Sequence, residues 1–315
     1  MKIILQLLKD IKTTIQIIIG FIICFPLVLD SKTDYLLSVF STGDTLIMGG
    51  FISAYKEAHP GRRVKVIVKK NHKQIVEFNS DRIGTPIYIS TKLSLFIRPF
   101  FIVASNMSDR FRFCMHDKTL YRLDHDAAAR ITCFGLWPCY KRIFSLPAKT
   151  TFLPPNYSAL SDEEYKEFTE RLSIDPRKTF ILAPYTITMQ EYNYTPLFTR
   201  IAKALNDSGW DVYTNTTDER CIEGTKALRL DFNEIVSLAQ NNNIRVISVR
   251  SGLCDLLRFT GCKLTVVYPS MFWKDMFCVK TMFGDRDGMS EIIVSPKTGK
   301  VEDILEEKNE DTFDK

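Results

Sequence analysis

The stretch YLLSVFSTGDTLIMGGFISAYKEAHPGRRVKVIVKK, residues 35–70, decides the fold class. An apolar run, YLLSVF (35–40), meets a short polar turn that holds Thr42, Gly43 and Asp44. A helix-like segment follows, and VKVIVKK (64–70) then reads as a second strand. Strand, turn, helix and strand within ~35 residues is the spacing of a βαβ unit, whose strands lie parallel. Asp44 stands where an acid serves either as a helix cap or as a chemical group at a strand end.

Beyond this unit, TPIYIS, FIRPFFIVAS and RFRFCMH have no clear period. The stretch LPAKTTFLPPNYSALSDEEY, rich in proline and small polar residues, marks a domain boundary. Within it Ser161 and Glu164 form a capping-box pattern that opens a helix. The alternation then restarts. FILAPY (180–185) is a strand, and Thr195-Pro196 reads as an N-cap with proline at the first helical position. The amphipathic helix it opens stops at Gly209, and DVYTN (211–215) is a strand. FNEIVSLAQNNN, IRVISV (244–249), GLCDLLRFTG and KLTVVYP (263–269) continue as helix, strand, helix and strand. Two successive α/β units joined by a Pro-rich hinge predict a bilobed protein with a cleft between its lobes.

Composition narrows the class. With 45% hydrophobic, 25% charged and 12% aromatic residues, the chain is globular material rather than disordered. Residues 1–160 carry 22 Lys/Arg against 11 Asp/Glu, a balance of +11; residues 161–315 carry 20 against 26, a balance of −6. A basic first half suits an anionic partner such as a membrane surface, and no nucleic-acid motif accompanies the charge. The eight cysteines are scattered without a CxxC pair, which fits reduced thiols. The four histidines (His59, His72, His116, His125) make no metal-binding pattern, so no metal site and no cofactor are expected.

Residues 13–29, TTIQIIIGFIICFPLVL, form an apolar run preceded by Lys2, Lys9 and Lys12. Its uninterrupted part, Ile17 to Leu29, falls short of the ~20 residues that span a bilayer comfortably. LDSKTD follows where a signal peptide would show small residues, so cleavage is not expected. The expectation is an uncleaved helix lying on or dipping into the cytoplasmic face of the cell membrane. A single spanning anchor comes second, and a helix buried in the protein's own core third.

The segment IRVISVRSGLCDLLRFTGCKLTVVYP (244–269) carries the second chemical candidate. A strand runs into Arg250-Ser251-Gly252 and a helix starts at once. Ligands of open parallel sheets bind beyond the carboxyl ends of strands, and a helix start offers free N–H groups to a phosphate. Ser251 can cap the helix or donate to a phosphate, Gly252 allows close approach of backbone, and Arg250 offers a bidentate guanidinium. Asp255, one turn in, could orient a ligand hydroxyl. The plainer alternative is a strand–turn–helix with a serine cap and an arginine in a salt bridge.

These residues resemble the heptosyltransferase-type (family 9) glycosyltransferases. STGDTLIMGGFISAYKEAHPGRRVKVIV is similar to the family's opening strand, Gly-Asp turn and helix, and the second half matches it in element order over roughly residues 35 to 270. The resemblance implies a GT-B fold of two Rossmann-like lobes and an inverting, metal-independent glycosyl transfer from a nucleotide sugar. It places Asp44 as the base on the acceptor hydroxyl, with Gly43 and Thr42 beside it, and Ser251 and Gly252 at the donor diphosphate. Arg250 stands where the family usually has Asp, resembling the phosphate-gripping arginine of GT-B fucosyltransferases; Thr186 and Asp255 are further donor-side candidates. The loop TITMQEYNY lacks the family's usual Lys.

The organisation expected is a membrane-associating helix (1–30), an acceptor-side domain (31–158), a nucleotide-sugar domain (159–300) and an acidic tail (301–315). The function expected is transfer of a sugar to a lipid-linked or polysaccharide acceptor in bacterial surface polysaccharide synthesis. Small residues Gly49 and Gly50 would let the acceptor or the opposite lobe approach. A catalytically silent GT-B-like membrane scaffold is the alternative, and a dehydrogenase is disfavoured because no GxGxxG follows a strand.

Overall fold

The computed structural model of the chain describes residues 2–114, 136–186, 189, 192–216 and 219–305. His116, His125, Cys133 and residues 306–315 of the acidic end lie outside them. Contacts divide the chain into a first unit ending at Asn156 and a second beginning at Tyr157.

The first unit opens with α1 (Lys2–Leu29), β1 (Thr33–Ser38), α2 (Thr42–Ala58) and β2 (Arg63–Lys69). After a 3-10 turn (Lys70–His72) come α3 (Lys73–Glu77), α4 (Ser80–Ile83), β3 (Ile87–Ile89), α5 (Thr91–Met107), β4 (Phe111–Phe113) and α6 (Leu136–Ile143). The strands form one parallel sheet in the order β3-β2-β1-β4. β1 is buried along its whole length, as the continuous apolar reading of its sequence requires of a central parallel strand. The three segments without a clear period become β3, α5 and β4. The two strands are three residues each, too short for a period to emerge.

One face of this sheet packs Leu37, Ile67 and Phe113 against Ile97, Phe100 and Phe101 of α5 and Cys24 of α1. The carboxyl end of α1 is therefore built into the domain. Its Gly20 lies against the Phe96 carbonyl and Phe100, where an added Cβ would come within 2.3 Å of that oxygen. Arg110 donates to the carbonyls of Leu27, Val28 and Asp30, filling acceptors that a helix end leaves open. Among the described side chains of α1, Ile11, Ile15, Ile18, Ile22, Phe25 and Leu29 are exposed. By length and composition, Asp10–Leu29 is able to cross a membrane.

The paired glycines have a different use from the one expected. A Cβ on Gly49 would meet the Asn79 side chain at 2.6 Å, and one on Gly50 would meet the Phe152 ring at 1.9 Å. The space beside α2 is filled by the unit's own residues, and Leu153 N–H also bonds the Gly50 carbonyl at 3.0 Å. Gly50→Ala is expected to cost about 1–3 kcal/mol through overpacking, read as a lower denaturation midpoint in urea; an unchanged midpoint contradicts this packing.

The second unit contains α7 (Asp162–Leu172), β5 (Thr179–Ala183), α8 (Thr195–Asp207), β6 (Asp211–Asn215), β7 (Lys226–Leu228) and α9 (Phe232–Ala239). It continues through β8 (Arg245–Val249), α10 (Gly252–Leu257), β9 (Lys263–Tyr268), α11 (Met271–Phe277), α12 (Val279–Phe283), β10 (Met289–Ile293) and α13 (Glu302–Leu305). Its sheet is parallel throughout, ordered β10-β9-β8-β5-β6-β7. The Ser161/Glu164 capping box forms as expected, and Asp231 with Glu234 makes another. Tyr194, not Thr195, takes the N-cap of α8, so the helix starts one residue earlier than the Thr-Pro signal suggested. β7 and β10, absent from the sequence reading, are the two edge strands, where a polar and charged sequence is tolerated.

Candidate active site

In the first unit the chain runs from β1 outward through β2 to β3, then returns to lay β4 on the other side of β1. The carboxyl ends of β1 and β4 thus flank the switch point, where an open α/β sheet accepts ligands. Beyond β1 the chain passes Val39 and Phe40 and enters α2. Ser41 is the N-cap; Thr42 and Gly43 are the first two helical residues, and Asp44 is the third. Asp44 is therefore the acid of a capping box and not the cap itself. Its Oδ2 accepts from Ser41 N at 3.2 Å and Ser41 Oγ at 2.6 Å, while Ser41 Oγ accepts from Asp44 N at 3.1 Å.

The other oxygen, Oδ1, accepts from the phenol of Tyr140 on α6. With both oxygens engaged, Asp44 is only 1% exposed. The phenol makes the contact that an acceptor hydroxyl would need to make with a base, donating its O–H directly to the carboxylate. A second buried chain lies alongside: Ser38 Oγ to Thr45 Oγ1 at 3.0 Å, and Thr45 Oγ1 to His72 Nδ1 at 2.7 Å. Burial first, and then the charge of Lys69, pushes the His72 pKa down from 6.5 to about 4, with Asp44 opposing.

His72 is thus neutral in the folded protein where the unfolded chain binds a proton. Its contribution to stability is intact above pH 6.5 and is lost as pH falls from 6.5 toward about 4. Full loss amounts to at most ~3 kcal/mol. Denaturation midpoints are expected to fall across that window, and His72→Gln to flatten the fall; equal pH profiles contradict the assignment.

In the second unit the switch point lies between β5 and β8, since β6 and β7 extend to one side and β9 and β10 to the other. The carboxyl end of β5 leads to Thr186, and that of β8 leads to Arg250, Ser251 and Gly252. The topology thus brings together the expected donor-side segments at one sheet edge. Thr186, Ser251 and Gly252 are half-buried, and the Ser251 side chain makes no cap bond to α10. Near the end of β5, Arg220 lies over the Tyr185 ring at 4.8 Å.

Arg250 departs from the expected phosphate clamp. It is 5% exposed, and its Nη2 lies 2.7 Å from Asp255. Nε donates to the Phe277 carbonyl at 2.8 Å and Nη1 to the Ser251 carbonyl at 2.5 Å. Burial, the largest influence, works against its charge, but Asp255, Tyr268 and Cys254 together outweigh it, so its pKa is raised. The arginine pins the β8–α10 turn to the end of α11, and Asp255 is its counter-ion, not a free ligand for a hydroxyl. Arg250→Ala is expected to destabilise the protein by ~3–5 kcal/mol by stranding a buried carboxylate. Arg250→Met with Asp255→Leu should cost less, and the opposite ranking in chemical denaturation would overturn the pairing.

Among the described residues, no group of three His, Cys, Asp or Glu side chains is placed to hold a metal ion. No protein-family model matches the chain, and no curated protein matches it in sequence. Solved structures do. The glycosyl transferase family 9 protein from Veillonella parvula superposes with a TM-score of 0.54 at 13% identity, over 89% of this chain and 92% of its own. The Escherichia coli ADP-heptose LPS heptosyltransferase II superposes with a TM-score of 0.51 at 13% identity, over 88% of this chain and 98% of its own. The fold is GT-B. The resemblance read from the Gly-Asp turn and the second α/β half holds at the level of the fold across nearly the whole chain.

Sequence reasoning missed Tyr140, which stands 96 residues from Asp44. No local pattern could join the two. His72 was visible only as a histidine outside any metal pattern, yet it follows β2 by three residues, which places it at the same sheet edge.

Proposed function

We propose that the protein is a glycosyltransferase that moves a sugar from a nucleotide-sugar donor to a lipid-linked or polysaccharide acceptor. The observation that carries this reading is Asp44 at the switch point of the first sheet, in a fold shared over nearly the full chain with two family 9 structures. In the reaction, the acceptor hydroxyl takes the place of the Tyr140 phenol and gives its proton to Asp44. Its oxygen bonds to the anomeric carbon as the bond from that carbon to the nucleoside diphosphate breaks. A single displacement of this kind inverts the anomeric centre.

The donor diphosphate lies at the carboxyl ends of β5 and β8, met by the Ser251 hydroxyl, the Gly252 amide and Thr186. Preorganised donors of this type stabilise the charge that develops on the leaving group without a metal ion. Arg250 and Asp255 are positioning residues that hold the turn. The chain works on the cytoplasmic face of the cell membrane, held there by α1, in the synthesis of a bacterial surface polysaccharide. A second reading, a silent GT-B-like scaffold, is favoured by the complete internal bonding of Asp44.

The test is donor turnover by the purified full-length protein against a panel of nucleotide sugars. Asp44→Asn is expected to lower transfer by ~10²–10⁴-fold while the donor still raises the melting temperature. A chelator should leave the rate unchanged. Donor stabilisation without turnover in the native protein would favour the scaffold, and transfer that survives Asp44→Asn would remove the base.

Membrane attachment is separately testable. Cys24 belongs to the core of the first unit and Leu27 and Val28 pack against it, so removal of residues 1–30 would damage the fold. Removal of residues 1–19 is the appropriate truncation. It should shift the protein from membrane to soluble fractions, and unchanged partition would count against α1.

A further inference from the structure

Two cations meet at the carboxyl edge of the first sheet, and no acid partner is found for either among the described residues. Lys69 ends β2 and donates to the Phe40 carbonyl at 3.3 Å; the Arg98 guanidinium lies 5.6 Å from the centre of the Phe40 ring. Among the described residues neither makes a salt bridge, and both are only half-exposed. A cation–π contact at a partly exposed site contributes only ~0.5–1 kcal/mol, a weak reason to hold a guanidinium beside a second cation. The Lys69 pKa is lowered, by burial first and then by the Arg98 charge, with Asp44 opposing. The carboxylate of Asp44 is within electrostatic range of Lys69 but is bonded to Ser41 and Tyr140.

The surroundings of Arg98 are apolar. Leu95, Arg98 and Ile102 follow the three- and four-residue spacing of one helix stripe, with Leu95 49% and Ile102 37% exposed. Phe40 beneath the guanidinium is itself exposed. α5 packs beside α1, whose own uncovered stripe of isoleucines adds to the apolar surface. A pair of cations set into an exposed apolar surface fits a phosphate carried on a hydrocarbon chain: the cations take the headgroup and the helices take the chain.

We propose that Phe40, Lys69 and Arg98 form a subsite for the phosphate of an anionic lipid, and that the uncovered faces of α5 and α1 form the surface that receives its hydrocarbon. This rests on the acceptor-side reading of the first unit and deepens it. The acceptor is a hydroxyl-bearing molecule on a lipid phosphate, and the subsite holds that phosphate at the sheet edge that carries Asp44. The bilayer is engaged by two helices of the domain and not by α1 alone.

The experiment is flotation of the full-length protein with phosphatidylcholine vesicles, either pure or doped with phosphatidic acid. The native protein should bind the doped vesicles more tightly. Each basic side chain near an anionic surface contributes ~1 kcal/mol, so Lys69→Gln with Arg98→Gln should lower the doped-vesicle partition coefficient ~30-fold. It should leave binding to pure phosphatidylcholine unchanged. Lys65→Gln with Lys70→Gln removes the same charge from exposed positions on this unit and should have a much smaller effect. Leu95→Asp should weaken binding to both kinds of vesicle.

Equal losses from the two charge-removing pairs would overturn the subsite, as would no loss from the first pair in a protein with a native melting profile. Displacement from doped vesicles by inorganic phosphate, at an ionic strength where chloride does not displace, would assign the site to free phosphate and overturn the lipid assignment. Donor-induced stabilisation is measured on the same samples. Selective binding of doped vesicles without any response to nucleotide sugars would leave the subsite and remove the glycosyl-transfer reading; the converse would do the reverse.

Discussion

The carboxylate of Asp44 is the tie on which the carboxyl edge of the first sheet depends. One oxygen closes a reciprocal bond with Ser41, which fixes the angle at which the chain leaves β1 and enters α2. The other takes the Tyr140 phenol and so fastens α6 to the same turn. A buried carboxylate requires this full set of donors, because an unpaired charge out of water is far more costly than the bonds that satisfy it. The same requirement makes the site usable. The group that bonds Asp44 is a hydroxyl, and in the proposed reaction an incoming hydroxyl replaces it like for like.

Buried parallel strands set the rest. A strand covered on both faces can be reached only at its ends, and in a parallel sheet the crossovers leave open the edge where successive helices begin. Both sheets reverse their strand order once, beside β1 in the first unit and beside β5 in the second. The groups assigned to acceptor and donor collect at these two reversals. Arg250 shows how the second one is held: its guanidinium is spent on Asp255 and on two carbonyls, leaving Ser251 and Gly252 as the half-buried groups at the turn.

α1 has two functions along one helix. Gly20, Cys24 and the Arg110-capped carbonyls at its end belong to the domain core, while the isoleucine stripe and Phe25 remain uncovered. A helix fastened in this way positions the apolar face of α5 beside it, so the exposed apolar surface is a property of the folded unit as well as of the apolar sequence at its start.

The sequence by itself determined the β/α alternation, because continuous apolar runs separated by amphipathic helices leave few ways to bury both faces of a strand. It also determined the capping box at Ser161 and Glu164, whose chemistry lies within four residues. Edge strands β7 (Lys226–Leu228) and β10 (Met289–Ile293) escaped it, since neither has the long apolar run that marks the central strands. The use of each charged group was decided only by tertiary structure. Arg250 offered the same guanidinium to a phosphate or to Asp255, and the choice fell to burial beside α12. Gly49 and Gly50 announced close approach, but Asn79 and Phe152 are what approach them. Tyr140 reaches Asp44 across 96 residues, and Lys69 of β2 and Arg98 of α5 meet at Phe40 in the turn after β1. Such meetings depend on distances in space, which residue spacing along the chain does not encode.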